Sequence, residues 1–206
     1  GMLARRMLES LRRWDRSTSS RVTEFVANSD HIRQRIARCY DRDATVIHPP
    51  VDVEFYTPDA HARPPRDREA YVTASRWVPY KRVELIVAAF RAMPERRLTV
   101  IGDGPEAPRV RAVAGANVRF VGEVSSEQLR SHLREARAFL FAADEDFGIL
   151  PVEAQACGTP VIAYGHGGAL ETVCESVPTG MFFREQSADA IADAVRRFDA
   201  AIDAVS

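Results

Sequence analysis

The sequence is poor in lysine, in cysteine and in long apolar runs. Of its 28 basic residues one is lysine, Lys81, and the others are arginine. The three cysteines lie far apart and form no Cys-x-x-Cys pair, which argues against a zinc site and against a disulfide framework. No apolar run approaches the roughly 20 residues that cross a bilayer. We therefore expect a cytoplasmic protein without a transmembrane helix.

A further absence concerns dinucleotide cofactors. The fingerprint Gly-x-Gly-x-x-Gly is missing, so a dehydrogenase-type Rossmann domain that binds NAD or a flavin is disfavoured. What is present is ordinary globular composition: 206 residues, 46% of them hydrophobic and 28% charged. The length is that of one large domain, or of one domain with a fragment of another. No cofactor and no nucleic-acid partner are expected.

The first 42 residues differ in charge from the rest. They carry 10 arginines against 5 acidic residues, a balance of +5, and the remainder carries 18 basic against 24 acidic residues, a balance of −6. Apolar residues at helical spacing predict a basic amphipathic helix at Leu3, Met7, Leu11 and Trp14. A strand is predicted over Glu24–Asn28, followed by a helix that Ser29 caps and that runs to about Tyr40.

From Tyr71 onward, short apolar runs alternate with helix-like stretches. The runs predict buried strands at Tyr71–Ala74, Leu98–Ile101, Val118–Val121, Ala138–Phe141, Val161–Tyr164 and Met181–Phe183. The stretches between them predict helices at Val83–Phe90, Pro105–Ala114, Glu127–Ala136, Leu150–Cys157 and Ser187–Phe198. This alternation predicts an α/β fold, a Rossmann-like doubly wound parallel sheet of about six strands, with an N-terminal α/β remnant. The predicted divisions are a remnant at 1–45, a linker at 46–69 with prolines at 58, 64 and 65, and a main domain at 70–206.

Open parallel sheets bind ligands at the carboxyl ends of their strands, so the strand-to-helix loops carry the candidate chemistry. The loop after the first strand of the main domain contains Arg76, Lys81 and Arg82, cations that suit a diphosphate. A solvated basic loop explains these three residues at least equally well. The loop after the second strand, Gly102-Asp103-Gly104, permits close backbone approach, although a tight turn is the simpler interpretation.

The loop after the fourth strand has the densest pattern. Glu145 and Glu153 are eight residues apart on opposite sides of Gly148, where a helix begins that can direct free N–H groups at an anion. The two carboxylates suit the hydroxyls of a sugar and of a ribose. Asp144-Glu145-Asp146 also imitates an Asp-x-Asp metal motif, but the loop cations offer another way to neutralise phosphate, so no metal is expected. His166, in a glycine-rich loop after the fifth strand, is a minor candidate for a sugar hydroxyl.

Together these loops closely resemble the C-terminal, donor-binding half of a GT-B glycosyltransferase of family 4. The matching motifs are Ser75-Arg76-x-Val78-Pro79-Tyr80-Lys81-Arg82, Ile101-Gly102-Asp103-Gly104-Pro105, Phe120-Val121-Gly122, Glu145-x-Phe147-Gly148-Ile149-x-Pro151-x-Glu153-Ala154-x-Ala156-x-Gly158-x-Pro160-Val161 and Gly167-Gly168. The residues within these motifs most resemble those of the mannosyltransferases of surface-polysaccharide synthesis that use GDP-mannose. The resemblance covers residues from about 20 to the end.

The resemblance implies a role for each loop. Arg76 and Lys81 would hold the donor diphosphate, with Glu145 on the transferred sugar and Glu153 on the ribose. Backbone N–H groups from Phe147 through Gly148 and Ile149 to Leu150 would meet the sugar and the distal phosphate. The loops Gly102–Gly104 and Gly122–Val124 would flank the base. Transfer would retain the anomeric configuration without a metal.

The resemblance also implies partners outside this chain. We expect that an N-terminal acceptor domain is missing, that a glycan or lipid-linked acceptor binds there, and that the isolated chain does not transfer sugar. The basic helix at the N-terminus would pack on the missing domain, contact anionic lipid at the inner face of the membrane, or remain solvated, and packing is favoured. Its apolar side would otherwise pair two copies of the chain. The alternative function is a non-catalytic nucleotide-sugar-binding module that acts with a separate acceptor domain.

Overall fold

The computed structural model describes residues 2–61, 63–175 and 179–203, and the chain divides into two compact units, 1–49 and 50–206. In the first unit, two parallel two-residue strands lie among two helices. The order is α1 (Met2–Thr18), β1 (Val26–Ala27), α2 (Asp30–Tyr40) and β2 (Thr45–Val46). The Ser29 hydroxyl accepts a hydrogen bond from the Ile32 N–H at 3.1 Å, which confirms the predicted cap.

The predicted strand at Glu24–Asn28 is shorter than expected. It is reduced to Val26–Ala27, which pairs with Thr45–Val46. Helix α1 forms as predicted and has no buried residue. None of the helices in the described ranges combines the length and the hydropathy that a bilayer span requires.

The second unit is a six-stranded parallel sheet. Its strands are β3 (Ala70–Ala74), β4 (Arg97–Ile101), β5 (Val118–Gly122), β6 (Phe139–Phe141), β7 (Val161–Tyr164) and β8 (Gly180–Phe183). Their order in the sheet is β5-β4-β3-β6-β7-β8, and every neighbouring pair is parallel. The predicted fold class and all six predicted strands are therefore confirmed.

Apolar residues on both faces of the sheet explain why the strands are continuous hydrophobic runs. Leu140 belongs to one core cluster, while Phe139 and Phe141 on the same strand belong to the other. Side chains alternate across a strand, so a strand that is covered on both faces, such as β6, is apolar on both. All three side chains are buried, as a doubly wound sheet requires.

Helices cover both faces. They are α3 (Val83–Arg91), α4 (Ala107–Ala112), α5 (Ser126–Glu135), α6 (Ile149–Ala156), α7 (Ala169–Thr172) and α8 (Ala188–Asp203). Ser125 and Gln128 form the predicted capping box of α5. Helix α4 begins two residues later than predicted, because the preceding turn is held by hydrogen bonds from the Glu106 N–H to the Trp77 carbonyl and from the Ala107 N–H to the Gly104 carbonyl.

The proline-rich stretch before β3 packs on the sheet unit. Tyr56 is buried, and Arg68 is only 7% exposed. The Arg68 guanidinium donates hydrogen bonds to the carbonyl of Ala136 at 2.9 Å and to the hydroxyl of Thr159 at 3.0 Å. Burial lowers the pKa of Arg68. This stretch is thus held to the sheet unit by buried side chains.

Asp199 on α8 is the centre of a polar cluster near the amino end of β3. Its carboxylate accepts hydrogen bonds from the Tyr71 hydroxyl at 2.5 Å, from Arg96 Nε at 2.6 Å and from Arg137 Nε at 2.6 Å. Burial alone would raise the pKa of Asp199, but these three donors outweigh it and lower the pKa. Burial and the bond to Asp199 raise the pKa of Tyr71.

We predict that Asp199→Ala lowers the free energy of unfolding by about 3 kcal/mol, because it removes the partly buried carboxylate that Arg96, Arg137 and the Tyr71 hydroxyl share and leaves Arg96 with the more exposed Glu95. Urea unfolding measures this loss. As the matched control, Asp193→Ala removes an ion pair whose carboxylate is 65% exposed and should cost less than about 1 kcal/mol. The stabilisation from Asp199 is present above pH 3.8 and is lost as the pH falls through its lowered pKa. An equal loss in both variants would contradict the prediction.

Candidate active site

The sheet has a topological switch point between β3 and β6. The chain continues from β3 to β4 on one side and from β6 to β7 on the other. Adjacent strands with outgoing connections in opposite directions leave a crevice at their carboxyl ends, where open α/β sheets bind ligands. The two loops at this crevice, residues 75–82 and 142–148, contain the strongest candidates from the sequence.

Lys81 and Glu145 meet in this crevice. Lys81 Nζ donates to Glu145 Oε1 in an ion pair whose side chains are 15% and 23% exposed. The ammonium also lies 5.2 Å from the centre of the Tyr80 ring and 5.9 Å from that of Phe141. Aromatic faces attract a cation and exclude water from one side of it. The structure therefore joins two predicted site residues that are 64 positions apart in the chain.

Local backbone geometry directs Lys81 into the crevice. Pro79–Lys81 form a single 3₁₀ turn, and the Lys81 N–H donates to the Val78 carbonyl at 3.0 Å. Arg82 then adopts a left-handed conformation with φ of 52°, and α3 begins at the next residue. The Arg82 guanidinium lies 3.9 Å from the buried carboxylate of Glu84. It is thus engaged beside α3 rather than with the Lys81–Glu145 pair.

Arg76 is free to meet a ligand. Its side chain is exposed, and it makes no ion pair with any residue in the described ranges. Asp103, in the next loop, is also exposed, and its carboxylate accepts a hydrogen bond from the Gly104 N–H at 2.7 Å. Asp103 therefore stabilises its own turn.

Helix α6 begins at the crevice with open N–H groups. Gly148 precedes it with φ of +83°, and no side chain among the residues that the structure describes caps the helix. Such an end attracts anions. The Phe147 side chain is buried, whereas Ile149 is exposed and Leu150 is partly buried.

Glu153 lies one turn into α6 and is half-buried. Burial raises the pKa of its carboxyl. Tyr56 lies close enough for the Glu153 charge to act on its phenol, whose pKa is raised first by burial and then by Glu153. Sequence reasoning missed Tyr56, because it lies in the stretch interpreted as a linker, and no local pattern connects it with residue 153.

The glycines in these loops allow the loops to pack on one another. A Cβ on Gly102 would lie 1.9 Å from the Ser75 carbonyl oxygen, and one on Gly104 would lie 2.5 Å from that of Trp77. A Cβ on Gly168 would lie 2.3 Å from Phe147 Cα. Glycine at these positions therefore lets the backbone of one loop pack against the backbone of its neighbour. These contacts fix the walls of the crevice.

The loop Gly122–Val124 closes one side of this arrangement. The Gly122 carbonyl accepts a hydrogen bond from the Gly102 N–H at 2.7 Å, and the space beside Gly122 is open. Val124 is partly buried against the core. On the other side, His166 is exposed, its Nδ1 lies 2.9 Å from Asp144 Oδ1, and its ring stacks on Tyr164. The Asp144–His166 pair was not predicted, since the two residues are 22 positions apart.

Comparison with known proteins decides the family. Residues 59–199, more than half of the chain, match the family model described as "Glycosyl transferases group 1". The chain belongs to this family. As a group 1 glycosyl transferase, it belongs to the kind of enzyme family that the resemblance implied, and its α/β fold agrees with that membership.

Two curated relatives are similar over part of the chain. A GDP-mannose-dependent alpha-(1-6)-phosphatidylinositol monomannoside mannosyltransferase from Mycobacterium tuberculosis is 35% identical over 111 residues, which are 48% of this chain and 29% of that protein. A D-inositol 3-phosphate glycosyltransferase from Geodermatophilus obscurus is 41% identical over 83 residues, 37% of this chain and 18% of that protein.

A solved structure is similar over most of the chain. Sucrose-phosphate synthase from Thermosynechococcus elongatus superposes with a TM-score of 0.83 at 27% identity, over 95% of this chain and 53% of that one. The group 1 chain thus spans about half the length of this structural relative and less than a third of the curated relatives above.

Proposed function

We propose that this chain carries the donor-binding half of a retaining, metal-independent glycosyltransferase. The observation that carries the proposal is the meeting of Lys81 and Glu145 at the switch point, beside the open start of α6. A cation, a carboxylate and free N–H groups in one crevice match the parts of a nucleotide sugar, which has a diphosphate and hydroxyl groups.

Each group has a defined task in this proposal. Lys81 and the exposed Arg76 hold the diphosphate and stabilise the charge that develops on it as the sugar leaves, which is electrostatic catalysis. Glu145 accepts hydrogen bonds from the transferred sugar, and Glu153 accepts them from the ribose. The N–H groups of residues 147–150 meet the sugar and the distal phosphate. The walls at Gly102–Gly104 and Gly122–Val124 flank the base.

We infer that the donor is GDP-mannose. Support comes from the residues within the motifs and from the mycobacterial relative, whose name describes a GDP-mannose-dependent mannosyltransferase. The acceptor is then a glycan or a lipid-linked sugar. An acceptor domain outside this chain binds it, and the isolated chain binds donor without transferring sugar.

Helix α1 is the surface that we assign to the acceptor domain. Leu3, Met7, Leu11 and Trp14 are all more than half exposed, so the apolar side lacks a covering element within the described residues. Packing on a domain would bury it. In the isolated chain the same side would pair two copies, which analytical ultracentrifugation detects, and contact with anionic membrane is the third outcome.

A non-catalytic donor-binding module is the second candidate function. The observation that favours it is that all the candidate donor residues, from Arg76 to His166, belong to one compact unit, 50–206. A separate acceptor domain would then be added in trans. Transfer of mannose after that addition supports the enzyme, and binding without transfer supports the module.

A thermal-shift panel of GDP, UDP, ADP and their sugars tests the proposal. A ligand that binds the folded state raises its stability by about 2.7 kcal/mol at 100 times its dissociation constant. We expect GDP and GDP-mannose to stabilise the chain most. Stabilisation by NADH instead would support a dehydrogenase-type domain and overturn the proposal.

The raised pKa of Glu153 predicts a pH dependence of binding. Ribose hydroxyls donate to the ionised carboxylate, so affinity falls as the pH falls through the pKa of Glu153, which burial places above 4.5. We expect GDP binding, measured by calorimetry, to weaken on going from pH 7.5 to pH 5. The variant Glu153→Gln should bind more weakly at pH 7.5 but lose this part of the pH dependence. If the pH dependence of GDP binding is the same in Glu153→Gln as in the wild type, the assignment of Glu153 to the ribose is wrong.

A further inference from the structure

The Lys81–Glu145 pair joins two groups that the proposed function assigns to different parts of one ligand. Lys81 is assigned to the diphosphate and Glu145 to the sugar, yet in the unliganded chain each is the partner of the other. We propose that this ion pair makes the site select the nucleotide sugar over the sugar-free nucleoside diphosphate. The inference rests on the proposed function and adds a specificity-determining role to the pair.

The charges around the pair leave Glu145 as the group that balances Lys81. The neighbouring carboxylate of Asp144 lies 2.9 Å from His166 Nδ1. The nearest cation along the chain, Arg82, faces Glu84. Both side chains are more than three-quarters shielded from water. The loss of either partner therefore leaves the other as a largely desolvated charge without its counter-ion.

A diphosphate that binds Lys81 competes with Glu145 for its single positive charge, although the ammonium has more than one N–H to donate. The Glu145 carboxylate then lies beside a ligand of the same charge sign with less of the positive charge to balance it, in a place where water replaces the lost interaction poorly. A nucleoside diphosphate ends in the phosphate and has no sugar hydroxyl to donate to this carboxylate. A nucleotide sugar does, because its sugar hydroxyls donate to the carboxylate as the diphosphate takes the ammonium. The site therefore favours the ligand that satisfies both groups at once.

The same exchange follows the proposed transfer step. When the sugar has left, Glu145 loses its hydroxyl donors while the nucleoside diphosphate still occupies Lys81. Re-formation of the Lys81–Glu145 pair competes with the diphosphate and promotes its release. The pair thus favours binding of the sugar-bearing donor and departure of the sugar-free product.

Because the chain has one lysine, its reactivity reports on this pair in the free protein. Lys81 is the one side chain that forms a stable amide with an acetylating reagent under mild conditions, and mass spectrometry of the peptide that contains it gives the rate. We expect Glu145→Gln to raise that rate about threefold or more, since the ammonium loses its charged partner. Asp144→Asn, the matched control on the neighbouring carboxylate, should leave the rate unchanged.

The second measurement is affinity, by calorimetry with GDP and with GDP-mannose. We expect Glu145→Gln to bind GDP about three to ten times more tightly than the wild type, because the competitor for Lys81 and the like charge are both removed. The same variant should bind GDP-mannose no more tightly than the wild type, because the sugar loses a charged acceptor. The double variant Lys81→Ala, Glu145→Gln should lose the gain for GDP.

The outcomes separate this inference from the proposed function. Faster acetylation with tighter GDP binding supports the inference. Unchanged acetylation, or GDP affinity that falls in Glu145→Gln, overturns it and leaves the donor site in place. The absence of nucleotide binding in both proteins refutes the proposed function, and the selectivity with it, whatever the acetylation rate.

Discussion

Replacing Lys81 by alanine should weaken GDP binding by about 10- to 100-fold. A hydrogen bond to a charged group contributes about 1.5–3 kcal/mol, and each 1.4 kcal/mol is a factor of ten in affinity. The variant also leaves the Glu145 carboxylate beside the phosphates without the ammonium that pairs with it. Calorimetric titration measures the change, and urea unfolding shows whether the fold is retained.

Arginine should not restore binding at position 81. The ammonium of Lys81 is compact and lies between the Tyr80 ring, the Phe141 ring and Glu145. A planar guanidinium is larger and presents its donors in a fixed fork, so it cannot occupy that space in the same way. Lys81→Arg should therefore keep the charge and lose most of the affinity.

A distant arginine offers the control for Lys81. Arg97 lies at the amino end of β4, its side chain is 73% exposed, and it pairs with Glu69. Arg97→Gln removes one positive charge at the amino ends of the strands, away from the crevice at their carboxyl ends, and should change GDP affinity little. Equal losses in Arg97→Gln and Lys81→Ala would show that net charge, rather than the crevice, attracts the nucleotide.

The strands could be predicted from the sequence because both faces of the sheet are buried. A run such as Phe139-Leu140-Phe141 is apolar at every position, which is a local signal that the chain itself carries. The order of the strands has no such signal. That β3 lies between β4 and β6 follows from packing across the whole unit, and the switch point becomes visible only in the structure.

The candidate site was predictable to the same extent. Local motifs identified Lys81 and Glu145 separately, but their contact joins residues 64 positions apart, and no periodicity or spacing encodes it. The same limit applies to Tyr56 beside Glu153 and to Arg68. Prolines suggested a linker around both Tyr56 and Arg68, because proline marks chain breaks and does not report the burial of the residues between.

The glycines correctly indicated where the backbone comes close to other atoms, but the sequence did not show which atoms those are. Sequence reasoning identified positions where a backbone must come close, and offered a ligand or a tight turn as the reason. The structure shows a third reason at Gly102, Gly104 and Gly168, since the nearest atoms belong to neighbouring loops. Gly102 and Gly122 both have a positive φ, but only Gly102 packs against a neighbouring loop, so replacing each of them separates backbone strain from collision between loops.

Gly102→Ala should lower the free energy of unfolding by about 2–5 kcal/mol, from left-handed strain of about 1–2 kcal/mol and from overpacking of about 1–3 kcal/mol. Its φ is +105°, and the new Cβ would lie 1.9 Å from the Ser75 carbonyl oxygen. That oxygen belongs to backbone, so the loop that carries Arg76 and Lys81 must move. Urea unfolding measures the first effect, and GDP titration should show a loss of at least about tenfold from misplaced cations.

Gly122→Ala separates strain from collision. Its φ is +84°, and apart from its two chain neighbours no atom of the described residues lies within 4 Å of the new Cβ, so it carries the left-handed strain alone. It should cost about 1–2 kcal/mol in unfolding free energy, and its loss of GDP affinity, from a methyl group in the wall beside the base, should be smaller than that of Gly102→Ala because the loop with Arg76 and Lys81 is not displaced. The two positions are joined by the hydrogen bond from the Gly102 N–H to the Gly122 carbonyl, so both variants test the same edge of the crevice. If both variants lose GDP binding equally, the loop collision does not position Lys81, and the crevice wall must be assigned to other contacts.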